Sequence, residues 1–229
     1  MEAVVLAGGL GTRLRAVVPD LPKPLAPVAG RPFLSILLDQ LDAQGFCRVI
    51  LSVGYRHELI RAALGERYRG IELVYAVEDR PLGTGGAIRL AARQCRTGEV
   101  FVLNGDSYVA VDFAAMREAH LASHTQLTIC AVAVADAGRY GRVLIKDGRV
   151  AGFAEKGAHG AAMINAGVYL FAPELVLGTD LPEAFSFERD FLERRLGQLR
   201  PLAFTTSGAF IDIGVPEDYA RAETVLTVR

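Results

Sequence analysis

The stretch Val5-Leu6-Ala7-Gly8-Gly9-Leu10-Gly11-Thr12-Arg13-Leu14 decides what fold to expect of this chain. Ala3 to Leu6 is apolar and β-branched, so it reads as a buried strand. The strand runs into a glycine-rich turn, where the backbone can come close to phosphate oxygens and aim its N–H groups at them. Arg13 adds a planar charged fork suited to phosphate. Two familiar glycine motifs fit poorly. A dinucleotide fingerprint would need glycine where Leu14 stands and a helix directly after, yet Pro19, Pro22, Pro24 and Pro27 intervene. A Walker A loop would end in Gly-Lys-Ser/Thr, and this one does not.

Downstream, Pro22-Lys23-Pro24 holds one lysine on a stiffened backbone, which limits where its ammonium can reach. Further along, short apolar runs alternate with helical patterns. Pro32 to Gly45 reads as a helix with Leu34, Leu37, Leu38 and Leu41 on one face. Val49 to Val53, Ile71 to Val77 and Val100 to Leu103 read as strands, and Glu58 to Leu64 and Gly85 to Cys95 as helices. Strands spaced by such helices imply a mainly parallel sheet with crossovers.

The second half differs. Leu127 to Val134, Arg142 to Lys146, Val150 to Phe153 and Met163 to Phe171 are strand-like, with a hairpin signal at Asp147-Gly148. Phe187 to Leu196 reads as a helix capped by Ser186, and Pro216 opens a last helix. The expectation is one α/β domain over 1–229, Rossmann-like, with a mixed, mainly parallel sheet flanked by helices. A nucleotide-binding half would span about 1–125 and a sugar-binding half about 126–229, with no β-helix tail.

Composition narrows the function classes. Among 229 residues, 51% are hydrophobic and the net charge is −1, so the chain lacks the basic excess of a nucleic-acid binder. No apolar run approaches the ~20 residues of a membrane span, and no signal peptide is legible. A cytoplasmic protein without membrane or nucleic-acid partners is expected. Cys47, Cys95 and Cys130 are scattered among apolar residues and read as reduced core thiols. His120 and His124 read as a solvated helix face.

From Leu6 to Pro24 the chain resembles the signature of the sugar-phosphate nucleotidyltransferases, Leu-Ala-Gly-Gly-x-Gly-Thr-Arg-Leu followed by Pro-Lys-Pro. The resemblance continues at intervals to about Tyr219. The spacer departs from the family's Pro and Thr, with Arg15, Ala16 and Val17 in their place. It implies transfer of a nucleoside monophosphate from a nucleoside triphosphate to a sugar 1-phosphate. The implied nucleotide site is Leu6, Ala7, Gly8, Gly9, Gly11, Thr12, Arg13, Glu78, Gly83 and Thr84. Gly83-Thr84-Gly85-Gly86 would open a helix whose bare N–H groups suit a polar or anionic ligand. Asp106, after an apolar strand, and Asp212, in Phe210-Ile211-Asp212-Ile213-Gly214, would hold Mg²⁺. Family members often carry Trp where Phe210 or Ile211 stands. Arg13, Lys23, Asp106 and Asp212 form the implied catalytic set. The implied sugar-phosphate site is Tyr140, Gly141, Glu155, Lys156 and Asn165, with Gly157 replacing the proline of the family's Glu-Lys-Pro motif.

For the base, Glu78-Asp79 stands where many uridylyl and thymidylyl members carry glutamine. A carboxylate can accept the two adjacent donors of guanine, which favours GTP. The run Phe185 to Phe191 and Leu-Gly-Thr-Gly-Gly-Ala look most like the short heptose 1-phosphate guanylyltransferases, whose GDP-heptose would feed capsule or lipopolysaccharide assembly. Mannose 1-phosphate guanylyl and N-acetylmuramate or glucose 1-phosphate uridylyl transfer remain alternatives, as does a non-catalytic regulatory subunit. The retained Arg13, Lys23, Asp106 and Asp212 speak against that subunit. Oligomeric state is open, with a homodimer as the candidate.

Overall fold

The protein is described by a computed structural model over residues 1–9, 11–154, 157 and 159–227. In chain order the strands are β1 (Glu2–Leu6), β2 (Pro27–Val28), β3 (Arg31–Pro32), β4 (Arg48–Val53), β5 (Arg67–Tyr68), β6 (Ile71–Val77), β7 (Val100–Asn104) and β8 (Ser107–Val109). They continue with β9 (Leu127–Val134), β10 (Arg142–Lys146), β11 (Arg149–Ala154), β12 (Ala162–Phe171), β13 (Leu202–Thr206) and β14 (Phe210–Asp212). The helices are α1 (Phe33–Ala43), α2 (His57–Leu64), α3 (Gly83–Ala92), α4 (Phe113–Ala122), α5 (Glu174–Leu177), α6 (Arg194–Leu199) and α7 (Pro216–Thr227).

A ten-stranded sheet runs β10-β11-β13-β9-β12-β7-β1-β4-β6-β5. The stretch β7-β1-β4-β6 is parallel throughout, as crossover connections require. These strands are apolar on both faces because both are covered. Ala3, Val5, Val49 and Leu51 pack with Phe33, Leu34 and Leu37 of α1, while Val4, Ile50 and Val102 pack with Ile88 and Ala91 of α3. Each of the valine, leucine, isoleucine and phenylalanine side chains among them, fully buried, contributes about 1.5–3 kcal/mol. β12 enters antiparallel between β7 and β9, and β13 pairs parallel to β9. The β10–β11 turn carries positive φ at Asp147 (51°) and Gly148 (70°), the conformation that Asp-Gly supplies in a two-residue hairpin.

Four expectations shift. The helix expected from Gly85 begins at Gly83 and ends at Ala92. The helix expected over Phe187 to Leu196 is a π-helix at Phe187–Glu193 that passes into α6. Its Ser186 cap is present, with Oγ accepting from the Arg189 N–H at 3.2 Å. His120 is buried, not solvated, because its ring Nδ1 lies 2.8 Å from the Thr128 hydroxyl of β9. Cys47 is exposed at the start of β4, whereas Cys130 is buried and Cys95 partly so; all three are free.

β1 is anchored by a buried ion pair. Glu2 and Arg48 bond to each other, and Glu2 Oε2 also accepts from the Arg96 and Thr97 N–H groups at 2.9 and 3.0 Å and from the Thr97 hydroxyl. Burial works against the Glu2 charge, but these donors outweigh it and hold its pKa below the usual value. Breaking such a pair leaves Arg48 buried with only the partly exposed Glu72, 3.5 Å away, and the Gln94 carbonyl as partners. Glu2→Gln is expected to cost about 3 kcal/mol at neutral pH, or roughly 6–12 °C in melting temperature. A depressed carboxyl pKa stabilises above its unfolded value and loses that contribution as pH falls through the folded one. The gap between variant and wild type, followed by thermal melting, should therefore narrow on acidification below the ordinary carboxylate range.

Candidate active site

The site forms where the chain leaves the parallel strands. β1 has β4 on one side and β7 on the other, so the loops after these strands part above it and leave a crevice. The resulting cleft has a volume of about 590 Å³ and is lined by Leu6, Ala7, Gly8 and Gly9 after β1. Ser52, Gly54 and Tyr55 contribute from the end of β4, and Glu78 to Pro81, Gly83, Thr84 and Ala87 from β6 and α3. Asn104, Gly105 and Asp106 contribute from β7, with Lys23, Pro24 and Glu188 completing the wall. Gly8 suits the close packing here: a Cβ would lie 2.7 Å from Glu78 Oε1 and 3.2 and 3.3 Å from the Gly54 and Val53 backbone.

Lys23 sits in a 3₁₀ turn closed by Leu25 N–H to Pro22 C=O at 2.8 Å. Its Nζ donates to Asp106 Oδ2 at 2.5 Å and lies 3.9 Å from Asp212 Oδ1. The two acids meet because β14 pairs antiparallel with β8, placing Asp212 opposite Ser107, and the Ile213 N–H donates to the Asp106 carbonyl at 2.9 Å. Burial and then the Asp106 charge push the Asp212 pKa up, while Lys23 pulls it down. The Gly214 N–H, 2.6 Å from Asp212 Oδ1, fixes that oxygen.

The opposite wall holds Glu78. Its Oε2 accepts the Leu82 N–H at 3.0 Å, and its Oε1 lies 3.4 Å from the Ser52 hydroxyl. Burial raises its pKa against these hydrogen bonds. The opening of α3 is not bare. The Gly85 N–H donates to the Phe185 carbonyl at 2.9 Å, and the Thr84 hydroxyl donates to Glu188 Oε2 at 2.8 Å while accepting the Phe187 N–H. The chain itself thus fills part of the expected anion position.

The expected residues divide. Leu6, Ala7, Gly8, Gly9, Lys23, Glu78, Gly83, Thr84 and Asp106 line the cleft, and Asp212 adjoins it through Lys23. Gly11, at φ +59°, packs over the Lys23 side chain. Thr12 and Arg13 are exposed, and among the described residues Arg13 has no hydrogen-bond or ion-pair partner. Tyr140 and Gly141 stand outside the cleft lining. Tyr140 Oη donates to the buried Asp218 at 3.1 Å, its ring meets Phe210, and burial followed by Asp218 pushes its pKa up to about 12. Asn165 is likewise outside the lining, held by Tyr169 Oη and the Gly167 N–H at 2.8 and 3.0 Å. Glu155 and Lys156 lie outside the described residues. Sequence reasoning missed Ser52, Tyr55, Asn104 and Glu188 as cleft residues. Tyr55 and Asn104 were signalled by their place at the ends of parallel strands; Tyr55 also carries Arg15 and Arg56 over its ring at 4.7 and 5.4 Å.

The nucleotidyl transferase family signature matches residues 2–228, and the chain belongs to that family. Among its relatives, the D-glycero-alpha-D-manno-heptose 1-phosphate guanylyltransferase of Aneurinibacillus thermoaerophilus is 45% identical over 99% of this chain and 98% of its own length. A mannose-1-phosphate guanylyltransferase of Mycobacterium tuberculosis is 34% identical, and the match covers 99% of this chain but 64% of that protein. The crystal structure of HddC from Yersinia pseudotuberculosis complexed with GMP-PN superposes with a TM-score of 0.86 at 38% identity, covering 97% of this chain and 98% of that one.

The turn at Gly83 should be the least tolerant element of the site. Its φ is +68°, and a Cβ would sit 2.6 Å from the Phe185 carbonyl oxygen. Gly83→Ala is expected to cost about 2 kcal/mol or more, read as a lowered midpoint in denaturant unfolding.

Proposed function

We propose that the chain joins D-glycero-α-D-manno-heptose 1-phosphate to the guanylyl group of GTP, giving GDP-heptose and pyrophosphate. The observation that carries this reading is the convergence of Lys23, Asp106 and Asp212 on one edge of a cleft that holds the Glu78 carboxylate. Full-length similarity to a heptose 1-phosphate guanylyltransferase supports the choice of sugar over mannose, whose matched relative is a longer protein.

A nonbridging oxygen of the sugar phosphate attacks the α-phosphorus of GTP in line, and the bond to the β-phosphate oxygen breaks. The nucleophile is already ionised at neutral pH, so no general base is required, and the protein's task is positioning and charge neutralisation. The Gly8–Gly9 backbone approaches the triphosphate, and exposed Arg13 takes the leaving pyrophosphate. Lys23 steadies the α-phosphate and the incoming phosphate, and Lys156 with Glu155 grips the sugar phosphate. Tyr140, Gly141 and Asn165 border the sugar.

Asp106 and Asp212 fit a hard divalent cation. Both present carboxylate oxygen, and an ammonium already bridges them. No third His, Cys, Asp or Glu joins them among the described residues, so phosphate and water oxygens would complete the shell. Mg²⁺ held there would neutralise charge on the phosphates. Cytoplasmic residence follows from the need for GTP and agrees with three free thiols. A homodimer is part of the reading and is checked by light scattering.

Pyrophosphate release measured over GTP, ATP, UTP and dTTP against heptose, mannose, glucose and N-acetylglucosamine 1-phosphates tests the proposal. GTP with the heptose phosphate should be fastest, and no turnover with any pair would sink it. Asp106→Ala should lower kcat on the order of 10²–10³-fold; a rate near wild type would remove Asp106 from the metal site.

Glu78 gives a second test. As a carboxylate it accepts guanine N1–H and N2–H, so only its ionised form binds well. Its pKa is raised, so the KM for GTP should begin to climb on acidification at a higher pH than an ordinary glutamate would impose. Glu78→Gln should abolish that limb and reduce the preference for GTP over ITP, which lacks the N2 amino group, by on the order of tenfold.

A further inference from the structure

Glu188 lines the cleft, and it lies outside the Lys23–Asp106–Asp212 cluster. It sits on the first turn of the π-helix Phe187–Glu193, a geometry that is rare and gathers at functional sites. No lysine or arginine pairs with it among the described residues. Its carboxylate is held by neutral hydroxyls instead: Thr84 donates to Oε2 at 2.8 Å, Tyr169 donates to Oε1 at 3.3 Å, and Ser186 Oγ lies 3.4 Å from Oε2. Tyr169 is in turn oriented by Asn165, whose Nδ2 donates to its oxygen at 2.8 Å. A chain of hydrogen bonds therefore runs from β12 through the π-helix to the opening of α3. Tyr169 is 1% exposed, and burial drives its pKa well above 10, so it stays a donor.

We propose that Glu188 is a specificity-determining residue that accepts a hydroxyl of the sugar ring of the sugar 1-phosphate. This rests on the transfer reaction proposed above. A carboxylate offers about four acceptor positions, and Thr84, Ser186 and Tyr169 leave one on Oε1 for a ligand. With no ion-pair partner among the described residues its carboxylate repels phosphate, which leaves the neutral polyol part of a ligand to lie against Glu188. Two neutral parts are available, the sugar ring and the nucleoside. The nucleoside already has Glu78 and Ser52 on β6 and β4, whereas Glu188 is tied through Tyr169 to β12, the strand that carries Asn165. The sugar ring is therefore its partner.

The test uses the full chain with Glu188→Ala and Glu188→Gln, and Tyr169→Phe as the variant that loosens Glu188 without removing it. Loss of a hydrogen bond to a charged acceptor should raise the KM for the sugar 1-phosphate on the order of 10- to 100-fold in Glu188→Ala. The KM for GTP should rise far less than that for the sugar phosphate, and in Glu188→Gln, which keeps an acceptor for the Thr84 hydroxyl, it should stay near wild type. Tyr169→Phe should show a smaller rise of the same kind. Against a set of monodeoxy sugar 1-phosphates, one analogue should bring wild type and Glu188→Ala to equal kcat/KM, which marks the hydroxyl contacted. Calorimetric titration of each protein with sugar 1-phosphate alone reads the same contact without turnover. A wild type that binds the sugar phosphate but transfers no guanylyl group would sink the reaction and still test Glu188. A rise in the GTP KM in place of the sugar KM, unchanged sugar binding in Glu188→Ala, or a loss that no deoxy analogue removes would overturn the proposal.

Discussion

The ammonium of Lys23 between Asp106 and Asp212 is the contact on which the rest of the site depends. Two carboxylates at close range raise each other's cost of ionisation, and burial adds to it at Asp212. A cation between them offsets part of that cost. It also ties together three segments far apart in sequence: the Pro22-Lys23-Pro24 turn, the turn after β7, and the β14 ribbon. The small β8–β14 sheet exists beside the ten-stranded one to bring the second acid there. The β8–β14 pairing sets Asp212 opposite Ser107, and the Ile213 N–H donating to the Asp106 carbonyl carries that register one residue further.

Glu78 and Glu188 both line the cleft, and each holds one end of the short turn that opens α3: Glu78 takes the Leu82 N–H, and Glu188 takes the Thr84 hydroxyl. A cavity with Lys23 beside Asp106 at one edge, and with Glu78 and Glu188 on the walls that flank the α3 turn, leaves those walls to the neutral parts of a ligand. A net charge of −1 for the whole chain is consistent with recognition by placed residues and not by a general field.

Much of the architecture was legible because it obeys local rules. Continuous apolar runs mark strands covered on both faces, Asp147-Gly148 marks a turn needing positive φ, and Ser186 marks a helix start. The paired acids were legible only through resemblance, since nothing in the residues near Asp212 names Asp106 as its neighbour. Other features depend on contacts that no local pattern encodes. The Thr128 hydroxyl on β9 buries His120. Phe185 reaches back to the α3 opening and takes the Gly85 N–H that a free helix end would offer. The π-helix is invisible to a reading based on a 3.6-residue period, and with it the placement of Glu188.

The Leu82–Thr84 turn joins the two halves of the proposed specificity. On the base side it is held by a carboxylate from the β6 end; on the sugar side by a carboxylate from the π-helix that packs on α3. Gly83 cannot relax to accommodate change, because its φ is positive and the Phe185 carbonyl stands where a Cβ would go. Base recognition and sugar recognition are then not independent modules. A substitution that shifts the π-helix to admit another sugar pulls on Thr84, and through the rigid turn on Leu82 and Glu78. Altered sugar choice with the same base therefore requires changes at the cleft face of Glu188 that leave the Thr84 hydrogen bond in place.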